Sequence, residues 1–320
     1  VKEMMFGFED EFEYLECADC GCLQILNPPI DMSKYYPEKY YSFRKITALF
    51  DNPIKSFVRH QRAYFAMGRK TLIGKIISGL SPPKKFYKWF EIAKVDFNHS
   101  ILAVGCGNGE RLITLRKEGF SKLTGIDPYI KDDILYGNGV KVHKMNLSNM
   151  HQKFDFIMLN HSFEHMNNPL DTLNKLHNIL NPNSYLMIRI PIASSFAFHK
   201  YGAHWVQIDA PRHCFLHTPQ SMKILAEKAN LHLKEILFDS YELQFLGSEQ
   251  YLKGIHLRDE NSYYENPEKS IFTKNEIQKY RMKSAELNRE GKGDQAAFFL
   301  HKPRTAGGQA SKYKLGSRHK

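Results

Sequence analysis

From Ser100 onward the chain alternates short apolar runs with longer stretches whose apolar positions recur at helical spacing. The runs predict strands at 100–105, 122–127, 141–145, 154–160, 184–190, 232–239 and 296–301, and the periodic stretches predict helices at 109–118, 168–180, 218–229 and 273–290. The start and stop signals agree with this reading. Asn168-Pro169 and Thr218-Pro219 open two of the helices, and Thr273 with Glu276 stands at capping-box spacing. Asn181-Pro182 and Gly291 close two of them. Strands alternating with helices of this length predict an α/β domain built on a parallel sheet with helices on both faces. The last two runs suit an antiparallel hairpin at its edge.

The first hundred residues have a different texture. In 44–94 twelve bases face two acids, interleaved with Phe57, Phe65, Ile73, Ile76, Ile77, Phe86, Trp89 and Phe90, which predicts amphipathic helices with a cationic face. That face is either a solvated cap or a contact for an anionic partner or a membrane surface. No DNA- or RNA-binding motif accompanies the charge, so no nucleic acid is expected. Residues 1–43 are acidic, with nine acids to three bases. The net charge of +11 therefore lies in one segment and in the tail 303–320, which reads as disordered or vector-derived.

At 320 residues and 42% hydrophobic, the chain can bury a large core, and no apolar run approaches the ~18 residues that span a bilayer. Five cysteines, an odd number, make no disulfide framework, and the acidic start is unlike a signal peptide. A cytoplasmic protein is expected, with Val1 falling in mid-domain. Cys17, Cys20 and Cys22 lie in a C-x-x-C-G knuckle that could present Cys17 and Cys20 as half of a structural zinc site or carry them as free thiols.

The most specific signal is Ser100-Ile-Leu-Ala-Val-Gly-Cys-Gly-Asn-Gly-Glu, followed by a helix and Leu123-Thr-Gly-Ile-Asp-Pro. Gly105, Gly107 and Gly109, with Cys106 between them, let a flat ligand lie against the main chain. Asp127 ends the second strand, where a carboxylate can accept both hydroxyls of a ribose. Glu110 stands where a dinucleotide fingerprint needs a third glycine, and no Gly-Lys-Ser/Thr follows to hold phosphates. The alternating glycines resemble motif I of the class I S-adenosylmethionine-dependent methyltransferases. One departure is Ala103, where that family usually has an acid.

The resemblance implies a Rossmann-like, seven-stranded, mostly parallel sheet with an antiparallel edge strand, occupying 95–302 with insertions at 193–217 and 241–294 that cover the acceptor. It implies S-adenosylmethionine as cofactor, with Asn146 and Leu147 near its adenine and Asn160 near its ribose or methionine part. The run Cys-x-x-Cys-Gly, Asn27-Pro-Pro, Tyr35, Tyr36, Tyr40, Tyr41 is similar to the amino-terminal module of some bacterial sugar and surface-polysaccharide methyltransferases.

Methyl transfer to a hydroxyl needs a base. The strand end Asn160-His-Ser-Phe-Glu-His offers His165 as base with Glu164 supporting it. His161, Glu164 and His165 could also meet a divalent ion, although their spacing does not favour one. The connection 193–217 adds four histidines, His199, His204, His213 and His217, with His213 as a second base and Arg212 for a phosphate or carboxylate. Tyr241, Gln244, Ser248 and Gln250 are further acceptor-site candidates. The expected acceptor is a small anionic molecule, a nucleotide-linked sugar or glycan intermediate. A quinone-like or lipid acceptor, or a non-catalytic cofactor-binding protein, is the alternative.

Overall fold

The computed structural model describes residues 1–37, 46, 49–69 and 71–304. Tyr40, Tyr41 and most of the tail lie outside them. Two short strands, β1 (Tyr14–Glu16) and β2 (Leu23–Ile25), come first. Next are β3 (Ile101–Val104), β4 (Leu123–Ile126), β5 (Ile134–Leu135), β6 (Lys141–His143), β7 (Phe154–Asn160) and β8 (Leu180–Pro191). The last three are β9 (Phe215–Leu216), β10 (His232–Phe238) and β11 (Gln295–Lys302). The helices are α1 (Pro53–Ala66), α2 (Leu72–Leu80), α3 (Tyr87–Ile92), α4 (Glu110–Lys117) and α5 (Pro169–Ile179). They continue with α6 (Phe196–Tyr201), α7 (Pro219–Lys228), α8 (Leu243–Tyr251) and α9 (Lys274–Arg289).

The main sheet runs β10-β11-β8-β7-β3-β4-β6-β5. The five strands from β8 to β6 are parallel, while β11 pairs antiparallel with both β8 and β10. All seven expected strands are present, and the eighth, β5, is a two-residue antiparallel edge. Both faces are covered because side chains on a strand alternate. On β3, Ile101 and Ala103 enter one core with α3 and α4, whereas Leu102 and Val104 enter the other with α5 and α7. β11 does the same, sending Ala297 and Phe299 one way and Ala296, Phe298 and Leu300 the other.

A third core joins the chain's beginning to the connections above the sheet. Met5 and Leu23 pack with Trp205, Leu216, Phe245 and Leu287. The β1–β2 hairpin pairs with β9, so the first 37 residues are tied to the 193–217 connection by both backbone and core. The insertion at 241–294 holds α9, with its Thr273–Glu276 capping box formed as expected, and also α8. The sequence gives no sign of α8, because almost every residue of it is buried and no polar face sets a period.

Within 44–94 the helices form, but the cationic face is divided. Arg59, Arg62 and Lys84 converge on the fully buried carboxylate of Glu118, and Tyr87 donates to the same group at 2.6 Å. Part of the basic charge therefore docks this region onto α4 and does not face solvent.

Candidate active site

The glycine turn takes the conformation its residues predict. Gly105, Gly107 and Gly109 have φ of +64°, +54° and +78°. A Cβ on Gly105 would stand 2.5 Å from Ser162 Cβ, and one on Gly109 would stand 2.6 Å from Val142 Cγ2. Side chains are thus excluded there by both backbone and space. Cys106 between them is half-buried, and loss of solvent pushes its thiol well up, which disfavours a thiolate. Asp127 lies at the tip of β4, its Oδ2 accepting from the Gly107 N–H at 2.8 Å and its Oδ1 from Tyr129 N–H at 2.9 Å. Each oxygen keeps a further lone pair. Asn146 is exposed just beyond β6, and Leu147 packs against the second core. Ala103 is buried between Gly125 and Met158 on the neighbouring strands.

The ends of β7 and β8 open into a cavity of about 390 Å³. His161, His165, Arg189, Asp209, His213 and Tyr241 line it, with Met5, Val206, Leu243 and Leu257 as apolar walls. His161 directly follows β7 and is held at φ +53°, a conformation that non-glycine residues avoid and that occurs preferentially at functional sites. Its Nε2 accepts from Arg189 Nη1 at 2.6 Å, and the same guanidinium reaches Asn160 Oδ1 at 3.3 Å and Asp239 at 2.7 Å. Asn160 is therefore fixed by Arg189. In the sequence its sign is a charged residue inside the apolar strand run Leu186-Met-Ile-Arg-Ile.

His165 and His213 meet at 4.8 Å between ring centroids, edge to face. His165 Nδ1 lies 2.7 Å from the Arg212 carbonyl and His213 Nδ1 lies 2.8 Å from the Gln207 carbonyl. A carbonyl only accepts, so both rings carry their proton on Nδ1 and leave Nε2 free. Burial and the neighbouring His213 push the His165 pKa below the usual imidazole range. Behind the pair lies Glu164, fully buried. Burial favours its neutral form, but contact with His161, together with the charges His165, His161 and His213 acquire when protonated in acid, outweighs this and holds the carboxyl at about 2. His217 is buried beside it between Phe163 and Phe215, and loss of solvent lowers its pKa to about 4.

Two expectations, for Arg212 and for the residues after β10, need correction. Arg212 does not await an anion: its guanidinium is buried and paired with Asp209 and Glu3, each at 2.7 Å. It joins the chain's beginning to the 193–217 connection. His199 and His204 are exposed and stand outside the cavity wall. Of the four candidates after β10, only Tyr241 lines the cavity, while Gln244, Ser248 and Gln250 bond within their own surroundings. Cys22, third in the knuckle, turns inward with its Sγ 3.6 Å from His217 Nδ1. Cys17 and Cys20 stay together in the turn between β1 and β2, where the backbone N–H groups of Cys20 and Asp19 lower the Cys17 pKa. One link was hidden in the Tyr-rich run. Tyr36 stacks on Tyr129 beside the Asp127 strand tip and places its hydroxyl 3.4 Å from His165 Nδ1, spanning the two halves of the site.

A family model described as a methyltransferase domain matches residues 58–236. The chain belongs to the methyltransferase domain family. Its cradle fits S-adenosylmethionine as the methyl donor. The turn is free of side chains, a carboxylate with spare lone pairs stands at the strand tip, and no phosphate-binding lysine or hydroxyl follows the glycines. Curated relatives include EEF1A lysine methyltransferase 2 from Homo sapiens, 34% identical over 27% of this methyltransferase and 36% of that protein. The Danio rerio protein of the same name is 40% identical over 17% and 24%. The chain thus spans about a third or less of the length of these relatives. A solved SAM dependent methyltransferase from Archaeoglobus fulgidus, at 19% identity, covers 68% of this chain and 91% of its own with a TM-score of 0.42. Among the described residues no helix is long and apolar enough to cross a membrane.

Proposed function

We propose that this methyltransferase alkylates a hydroxyl of a small polar acceptor, a sugar or nucleotide-linked sugar, held in the cavity beyond β7 and β8. The observation that carries the reading is the pair of imidazoles, His165 half-buried and His213 buried, opening onto that cavity with their Nδ1 atoms fixed on carbonyls. Gly105, Cys106, Gly107, Gly109 and Asp127 would hold the cofactor, with Asn146 and Leu147 beside its adenine and Asn160 nearer the cavity. When bound, S-adenosylmethionine supplies an activated methyl group. The remaining work is alignment and proton removal. His165, kept neutral by burial, has Nε2 available to take the hydroxyl proton, and Glu164 and Asp209 would stabilise the imidazolium that results. His213 is placed to serve as the second base. Residues of 193–217 would cover the acceptor, and Arg189, tied to Asp239, would act through His161 and not as a free cation.

The test is a mass-spectrometric panel of nucleotide sugars, glycan fragments and lysine peptides incubated with methyl-labelled cofactor. Label is expected in a sugar hydroxyl, with turnover reduced about 100-fold or more by His165→Gln. Label confined to the lysine peptides, the substrate class named in the curated relatives, would overturn the sugar reading, and full turnover by His165→Gln would remove the base assignment.

A second reading concerns where the acceptor resides. The α1–α2 hairpin turns Ile54, Phe57, Leu72, Ile73, Ile76 and Leu80 outward, Leu80 at 85% exposure, with Lys55 and Lys75 among them. An apolar row flanked by lysines is what an anionic lipid surface would receive, which favours a lipid-linked acceptor.

A further inference from the structure

Glu164 presents a problem that the proton-transfer reading leaves standing. It is fully buried, and neither carboxylate oxygen has a well-formed hydrogen bond. Its Oε1 lies 3.3 Å from His161 Nδ1 and 3.9 Å from His213 Nε2. A buried carboxylate whose two oxygens both lack a hydrogen-bond partner calls for a ligand to satisfy them.

We propose that Glu164, His165 and His213 bind a divalent transition-metal ion at the floor of the acceptor cavity. One ligand atom from each lies within 4.8 Å of the other two. Around a shared ion with ligands at about 2.0–2.2 Å the same atoms would draw closer, an adjustment of side-chain torsions. The surroundings are those of a metal centre. Each imidazole donates its Nδ1–H to a backbone carbonyl, which fixes the ring and directs Nε2 away from it. His161 is excluded as a ligand through Nε2, because that nitrogen accepts from Arg189, and its Nδ1–H faces the Glu164 carboxylate and positions it. Two imidazoles and one carboxylate suit zinc, manganese, iron, cobalt or nickel far better than magnesium or calcium. Among the described residues three side chains form the group, and His165 and His213 line the cavity, so the remaining positions open toward the acceptor, as in catalytic centres and not closed structural ones. An ion here would hold an acceptor oxygen and lower the pKa of its proton.

The inference deepens the acceptor reading and rests on it for its catalytic role, but not for metal binding. A nitrogen that holds an ion cannot also take a proton, so the two roles of the imidazole pair are separable by experiment. The full chain would be treated with chelator, dialysed, and titrated with Zn²⁺, Co²⁺ or Mg²⁺ by calorimetry, with Co²⁺ also followed by its visible absorption. One equivalent of Zn²⁺ or Co²⁺ is expected, with no binding of Mg²⁺ at the same concentration. Glu164→Gln and His213→Gln, each checked for retained binding of the demethylated cofactor, should weaken Zn²⁺ binding at least tenfold. The double variant Cys17→Ser, Cys20→Ser should leave it unchanged. Loss of binding in the cysteine variant with retention in both cavity variants would overturn the proposal, as would the absence of binding to the wild-type chain. If zinc binds but no sugar in the panel is methylated, the metal site stands and the acceptor reading falls. If sugar methylation survives chelation and no metal binds, the reverse holds.

Discussion

His217 shows how one buried side chain ties the site to the stability of the whole chain. It is stacked between Phe163 and Phe215, its Nδ1 lies 3.2 Å from Ser221 Oγ, and loss of solvent holds its pKa at about 4 against an ordinary 6.5. Between those values the unfolded chain binds a proton that the folded chain refuses. The contribution is therefore constant above pH 6.5 and is lost as pH falls toward 4, about 3 kcal/mol in all. Stability measured by urea denaturation should decline through this window in the wild type, and in His217→Phe, which keeps an aromatic ring in the slot, the decline should be shallower by about one proton. Equal slopes would mean that His217 is protonated in the folded protein. At the same scale, Arg212 illustrates what a sequence conceals. Its Asp-x-Pro-Arg-His setting reads as an anion site, yet two carboxylates already hold the guanidinium, and one of them, Glu3, lies more than two hundred residues away. Residue types are legible along the chain; which of them are already paired is not.

Among elements, the strands of the sheet were legible as short apolar runs, and its helices as periodic stretches bounded by caps, prolines and glycines. α8 was not, since an element buried on every side has no polar face to betray its period, and β5 has only two residues. The β1–β2–β9 sheet was also out of reach, because it joins segments far apart in the sequence. The α1–α2 hairpin combines both lessons. Its amphipathic character was evident, but the structure divides its bases between a buried anchor on Glu118 and an outward face rich in isoleucine and leucine. If that face meets lipid, co-sedimentation with vesicles containing phosphatidylserine should fall at least tenfold in Ile73→Ser, Ile76→Ser and should be absent with neutral vesicles. Unchanged sedimentation in the double variant, or none in the wild type, would leave the hairpin as a solvated cap.

For the molecule as a whole, the sheet brings two chemistries to one rim. The strand tips of β3 and β4 carry the glycine cradle and Asp127, those of β7 and β8 carry the imidazole cavity, and Tyr36 from the chain's beginning reaches both. This is the crevice where doubly wound sheets bind ligands, and it was the part of the site most readable in advance, since glycine positions and strand ends are set by local backbone needs. What the cavity accepts depends on the connections above it, whose packing is long-range. The central claim is that the cradle binds S-adenosylmethionine through Asp127. Calorimetry with S-adenosylhomocysteine tests it most directly. The account predicts one equivalent bound to the wild type, binding weakened at least 100-fold in Asp127→Ala, and no binding of NAD; undiminished binding in Asp127→Ala, or NAD bound in place of S-adenosylhomocysteine, would contradict it.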